Sequence, residues 1–174
     1  MDRSQWIAKH IREIEDYPID GVTFRDVTPL LADAPAFGRA IDDLVAAVHD
    51  LTIDRVIGVE ARGFIVAAPV AYRLRAGFVP VRKPGKLPWA VAREEYELEY
   101  GSDRLEIHRD AIRPGERVLV VDDVLATGGT ASATCRLVET LGGRVEAVAV
   151  LIELPALLGR EQLAGRRVES LLRF

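Results

Sequence analysis

The sequence carries one cysteine, Cys135, in 174 residues, so no intrachain disulfide can form. The histidines number three, His10, His49 and His108, and lie far apart. With a single thiol beside them, the usual zinc patterns are excluded and no residue is assigned as a metal ligand. There is no excess of positive charge. Lys and Arg total 23 against 27 Asp and Glu, a formal net charge of -4. That balance argues against a general nucleic-acid binder. It leaves room for a small anion, because a few local cations suffice to hold a phosphate. No long hydrophobic run occurs either. The longest apolar stretch, Gly63 to Tyr72, is too short to span a bilayer and contains Pro69. Met1 to Tyr17 mixes charge with apolar residues and lacks the apolar core of a signal peptide. By elimination the expectation is a cytoplasmic protein with neither membrane nor nucleic-acid partner. Two common nucleotide motifs, GxxxxGK[ST] and GxGxxG, are also missing.

What remains is an ordinary globular composition, 49% hydrophobic and 29% charged, sized for a single domain over residues 1–174. Trp6, Ile7, His10, Ile11 and Ile14 recur at helical spacing and predict an opening amphipathic helix. Pro18, Gly21 and Pro29 mark an irregular segment, and a helix over Ala36–His49 follows, with Asp33 near its start. Strands are then expected at Arg55–Val59, Gly77–Val81, Arg117–Val121 and Val145–Leu151, with helices at Gly63–Leu74 and Thr130–Leu141 between them. A short last strand is expected at Val168–Leu172. Strand and helix in alternation imply an α/β fold, a mostly parallel central sheet flanked by helices. Ligands of such sheets bind beyond the carboxyl ends of the strands. Arg82–His108 interrupts the alternation with prolines, glycines, charges and aromatics, which suits a lid or small sub-lobe.

The strongest local signal is the string Val118 to Thr130, VLVVDDVLATGGT. An apolar strand ends in two acids, then a turn of small residues, then a helix. Ala126, Gly128 and Gly129 let backbone N–H groups approach an anion, and Thr127 and Thr130 add hydroxyl donors. A phosphate monoester suits that turn. Asp122 and Asp123 would repel it but would accept hydrogen bonds from a vicinal diol. Phosphate at one end and diol at the other describe a ribose 5-phosphate. A second candidate at the same edge is Glu60-Ala61-Arg62-Gly63-Phe64, where Arg62 can fork onto a phosphate.

The thirteen-residue string resembles the phosphoribosyl pyrophosphate motif of type I phosphoribosyltransferases, and VLATGGT is similar to their adenine-specific branch. The resemblance covers about Ile14 to Leu163 and implies that family's fold, with a flexible lid at about 82–108 and a small hood. It implies that Asp122 and Asp123 hold the ribose hydroxyls and that Ala126, Thr127, Gly128, Gly129 and Thr130 cradle the 5-phosphate. The segment around Arg62 resembles the pyrophosphate loop, with a strained or cis peptide expected at Ala61–Arg62. RKPGKLP resembles the family's basic segment, which assigns Arg82, Lys83 and Lys86 to pyrophosphate as well. YELEYGSDRLEIH resembles the family lid, and the acid/base role falls on Glu99, a carboxylate able to take the ring proton that adenine loses. GVTFRDVTPL resembles the segment that holds the base. Backbone at Thr23 and Arg25 would read its edge, and Phe24 would stack on it. Periodicity alone makes Phe24 equally a core residue. Leu154 would cover the base's other face.

The activity so implied is transfer of the phosphoribosyl group from phosphoribosyl pyrophosphate to adenine, giving AMP and diphosphate, with Mg2+ bound mainly through the substrate and a homodimer as the assembly. The alternatives are a phosphoribosyltransferase for another base, or a regulator that senses phosphoribosyl pyrophosphate without catalysis.

Overall fold

The computed structural model describes residues 3–97 and 102–174. In chain order the elements are α1 (Arg3–Ala8), β1 (Arg12–Ile14), β2 (Phe24–Asp26), α2 (Thr28–Ala32), α3 (Ala34–Ala47), β3 (Arg55–Val59), α4 (Arg62–Leu74) and β4 (Gly77–Val81). Then follow β5 (Val91–Glu97), β6 (Ser102–His108), β7 (Arg117–Leu125), α5 (Gly129–Thr140), β8 (Arg144–Glu153) and β9 (Val168–Arg173). Five strands form one parallel sheet in the order β4-β3-β7-β8-β9. The expected α/β fold is therefore present, with helices on both faces.

Alternation along the strands sorts the core into two layers. Val56, Leu119, Val121, Ala147, Ala149 and Leu151 join the cluster under α3 and α4. Their neighbours Ile57, Val59, Val118, Val120, Val148 and Val150 join the cluster under α5. Strands buried on both faces read as continuous apolar runs, and this is why they were visible in the sequence. Asp33 caps α3, its carboxylate accepting from the Ala36 N–H at 2.9 Å, as a helix start with Pro35 in its first turn requires.

The N-terminal region departs from expectation. The helix stops at Ala8, and Arg12–Ile14 pairs antiparallel with Phe24–Asp26 instead of continuing it. Ile7 and Ile11 are both buried, but Ile11 is reached through a turn closed by His10 and Ile11 N–H groups on the Ile7 and Ala8 carbonyls. Apolar residues four apart satisfy either geometry over so short a stretch. The β1–β2 pair stands outside the main sheet. The insertion after β4 folds as the β5–β6 hairpin, and its Tyr96, Leu105 and Ile107 are buried in the α5-side core.

Strand β9 is anchored through Glu153, whose side chain is buried. Arg160 meets its carboxylate with two hydrogen bonds of 2.6 and 2.7 Å. Ser170 and Arg173 add further donors. The Arg160 hydrogen bonds, helped by Arg173 and Ser170 against the cost of burial, pull the Glu153 pKa from its ordinary 4.5 to about 2. A depressed carboxylate pKa adds stability above the unfolded-state value and loses it as pH falls through the folded one. Glu153→Gln is expected to cost roughly 2–3 kcal/mol near neutral pH, the scale of hydrogen bonds to a buried charge. In urea unfolding measured across pH, the gap from wild type should narrow as pH falls from 4.5 towards 2.

Candidate active site

The carboxyl ends of β3 and β7 open onto a cavity of about 420 Å3. Its lining brings together Thr23, Phe24 and Arg25 from β2 and the loop before it, Glu60 and Arg62 after β3, Lys83 after β4, and Asp122 to Ala131 from β7 into α5. Leu154, just after β8, closes another side.

The turn between β7 and α5 is built for an anion. Gly128 occupies the helix N-cap with φ of 85°, a left-handed conformation that favours glycine, and no side chain caps the helix. The first amides of α5 are thus left for a ligand. A Cβ at Gly128 would lie 2.3 Å from the Gly159 carbonyl, and one at Gly159 would lie 2.2 Å from the Ala126 carbonyl. The phosphate turn and the loop after β8 are therefore in backbone-to-backbone contact.

The acid pair is unequal. Strand β7 runs on through both acids, because Asp122 and Val124 continue its pairing with Val150 and Ile152 of β8. Asp123 is hydrogen-bonded by Arg62 Nε. Asp122 accepts from the Asp123 N–H at 2.9 Å, and Gly63 packs so closely that a Cβ there would sit 2.7 Å from its Oδ1. Burial and the neighbouring Asp123 charge push the Asp122 pKa well above the usual carboxylate value. For Arg62, burial opposes the charge, and the Asp123 hydrogen bond with the Asp122 and Asp26 carboxylates overcomes it and raises the pKa. Arg62 also lies 5.7 Å from the centroid of the Phe24 ring.

The basic segment splits. Lys83 faces the cavity. It is ion-paired with Asp103 of β6 and near the Tyr96 hydroxyl, which in turn accepts from Thr130 Oγ1 at 3.3 Å. Arg82 and Lys86 do not line the cavity. Arg82 is forked onto Glu60 at 3.1 and 3.2 Å, and Lys86 is exposed. The Arg82 hydrogen bonds hold the Glu60 pKa below its ordinary value against burial, with help from the Lys83 N–H. Glu99 lies outside the described residues. The cis peptide lies at Glu60–Ala61, one bond before the expected Ala61–Arg62, and Arg62 opens α4. Glu60, Leu105 and Leu157, to which no motif assigns a role, also line the cavity. Glu60 could have been found from its place at the strand end.

A parallel sheet whose β7 edge carries the acid pair and an uncapped Thr-Gly-Gly-Thr turn into α5 defines a phosphoribosyltransferase of type I. Consistent with that, residues 30–167 match the family of the phosphoribosyl transferase domain. The chain is 57% identical over 164 residues to the adenine phosphoribosyltransferase of Roseiflexus castenholzii, covering 94% of this chain and 95% of the relative. The crystal structure of adenine phosphoribosyltransferase from Thermoanaerobacter pseudethanolicus superimposes with a TM-score of 0.96 at 52% identity, covering 98% and 99% of the two chains. The Saccharomyces cerevisiae adenine phosphoribosyltransferase, solved with adenine and an iminoalditol bisphosphate, gives 0.91 at 37% identity, covering 97% and 98%. The chain belongs to the adenine phosphoribosyltransferase family.

Proposed function

We propose that this chain transfers the phosphoribosyl group from phosphoribosyl pyrophosphate to adenine, producing AMP and diphosphate in purine salvage. The observation that carries the reading is the convergence on one cavity of three segments distant in sequence: 23–25, 60–62 and 122–130. The turn 126–130 takes the 5-phosphate, and Asp122 and Asp123 take the ribose hydroxyls. Arg62 and Lys83 neutralise the pyrophosphate as it leaves, which requires each to exchange its present carboxylate for substrate oxygens. Arg82 acts by fixing Glu60 and so the backbone of Lys83, which donates to the same carboxylate at 2.9 Å. Lys86 contributes charge at the rim.

Adenine lies between Phe24 and Leu154, with backbone at Thr23 and Arg25 reading its edge. The lid, residues 82–108, is proposed to exclude water that would hydrolyse the activated sugar. Glu99 takes the ring proton. Glu99→Gln is expected to lower kcat roughly a hundredfold, in line with the loss of a general base. An unchanged kcat across pH would contradict that role.

Magnesium is proposed to enter with the substrate. Among the described residues no group of three or more His, Cys, Asp or Glu forms a metal cage. Of the cavity carboxylates, Glu60 is taken by Arg82, and Asp123 is paired with Arg62 until that arginine turns to the pyrophosphate, which leaves Asp122 and then Asp123. One or two carboxylates together with phosphate oxygens make a donor set that fits magnesium. When bound, the ion supplies charge neutralisation of the leaving group. A homodimer is proposed for the assembly, supported by the exposed apolar side chains of Ile65, Tyr72 and Phe78 on α4 and β4. A cytoplasmic location is proposed as well; among the described residues no helix is long and apolar enough to cross a membrane.

A further inference from the structure

The strand that carries Phe24 and Arg25 is weakly secured. Strand β2 has three residues, its sole strand partner among the described residues is the equally short β1, and neither pairs with the central sheet. Its place beside the cavity must be set by side chains. Arg25 is well placed to do this. Its guanidinium is mostly buried and meets Glu13 of β1 at 2.6 Å. Its other flank is covered by an aromatic ring from the opposite end of the sequence: Cζ of Arg25 lies 4.2 Å from the centroid of Phe174. A guanidinium stacked at this distance gains both a cation–π attraction and a flat packing surface. Phe174 is 37% exposed, and its backbone is held. Its N–H donates to the Glu153 carbonyl at 3.1 Å, directly beside the carboxylate that Arg160, Ser170 and Arg173 hold.

We propose that Phe174 is a positioning residue for adenine, acting through Arg25 to hold the 23–25 backbone at the distance from Leu154 that fits one purine. Glu153 and Leu154 are adjacent, so the same anchor sets both walls: Leu154 directly, and β2 through Phe174 and Arg25. The basic segment lies outside this chain of contacts, and the phosphate turn meets it at Gly159, on the Glu153 side of the anchor rather than through the Phe174–Arg25 contact. The effect should therefore fall on the base and spare the phosphoribosyl side. The proposal rests on the reading of the cavity given above.

The test is steady-state kinetics of Phe174→Ala, Phe174→Leu, Phe174→Tyr and the wild type, with adenine and phosphoribosyl pyrophosphate varied in turn. Phe174→Ala should raise KM for adenine roughly tenfold, the scale of one partly desolvated cation–π contact. KM for phosphoribosyl pyrophosphate and kcat should stay within about twofold of wild type. Phe174→Tyr should restore the adenine KM, and Phe174→Leu, which keeps apolar volume but no π face, should not. Equal shifts in both KM values, or full rescue by leucine, would reduce Phe174 to ordinary packing and overturn the proposal. So would an unchanged adenine KM in Phe174→Ala. A wild type without turnover would overturn the cavity reading and this proposal together, whereas normal wild-type turnover with an unaffected alanine variant would overturn the proposal alone.

Discussion

Gly128→Ala is expected to lower kcat/KM for phosphoribosyl pyrophosphate at least a hundredfold and to lower Tm by several degrees. Two independent costs add. The residue sits at φ of 85°, where an L side chain costs about 1–2 kcal/mol. Its Cβ would also meet the Gly159 carbonyl at 2.3 Å. That partner is backbone and cannot swing aside, so either the phosphate turn or the loop after β8 must move. Moving the turn misplaces the amides that would face the 5-phosphate, and a displacement near 1 Å is enough to cost about a hundredfold. For a chain of this length, each kcal/mol of lost stability lowers Tm by roughly 2–4 °C. Gly159→Ala should behave alike, since its Cβ would lie 2.2 Å from the Ala126 carbonyl. Calorimetric titration with phosphoribosyl pyrophosphate and a melting scan read the two components separately. Wild-type affinity in Gly128→Ala would show that the turn does not bind phosphate.

Arg62→Ala carries the second large effect. The substitution removes a cation from the pyrophosphate side and also leaves buried Asp123 without its partner, next to Asp122. KM for phosphoribosyl pyrophosphate should rise about a hundredfold, the worth of one or two charge-assisted hydrogen bonds. There is a second signature. Arg62 lowers the cost of ionising Asp122, its charge pulling that pKa down against burial and the Asp123 charge. Without it Asp122 holds its proton to higher pH. The acid limb of the pH–activity profile should therefore shift upward. Arg62→Lys should restore the limb because it restores the charge, but only part of the affinity, because an ammonium lacks the fork. An acid limb unmoved in Arg62→Ala would dissociate the acid pair from catalysis.

The sequence disclosed what is local. Strands β3, β7 and β8 are apolar runs, and the turn from Asp122 to Thr130 keeps its chemistry within nine positions. What it hid are meetings between distant residues. Arg82 reads as one of three equivalent cations, yet Glu60, 22 positions away, takes its fork. The closeness of Gly128 to Gly159 depends on how β8 returns past the turn. Tyr96, Leu105 and Ile107 look like part of a polar insertion and are core, because alternation in the β5–β6 hairpin turns one face inward. Arg25 and Phe174 lie at opposite ends of the sequence, and no pattern in either segment points to the other. At the N-terminus the failure was different: the periodicity of residues 6–14 fitted a helix, and the turn after Ala8 sets a strand there instead.

The central claim is best tested by turnover of phosphoribosyl pyrophosphate and magnesium against adenine, hypoxanthine, guanine, xanthine and orotate in parallel. Formation of AMP from adenine, with the other bases slower by orders of magnitude, is the predicted result. Preferred turnover of another base would contradict the assignment of Phe24, Leu154 and the 96–108 segment to adenine. Tight binding of phosphoribosyl pyrophosphate with no turnover of any base would contradict catalysis itself.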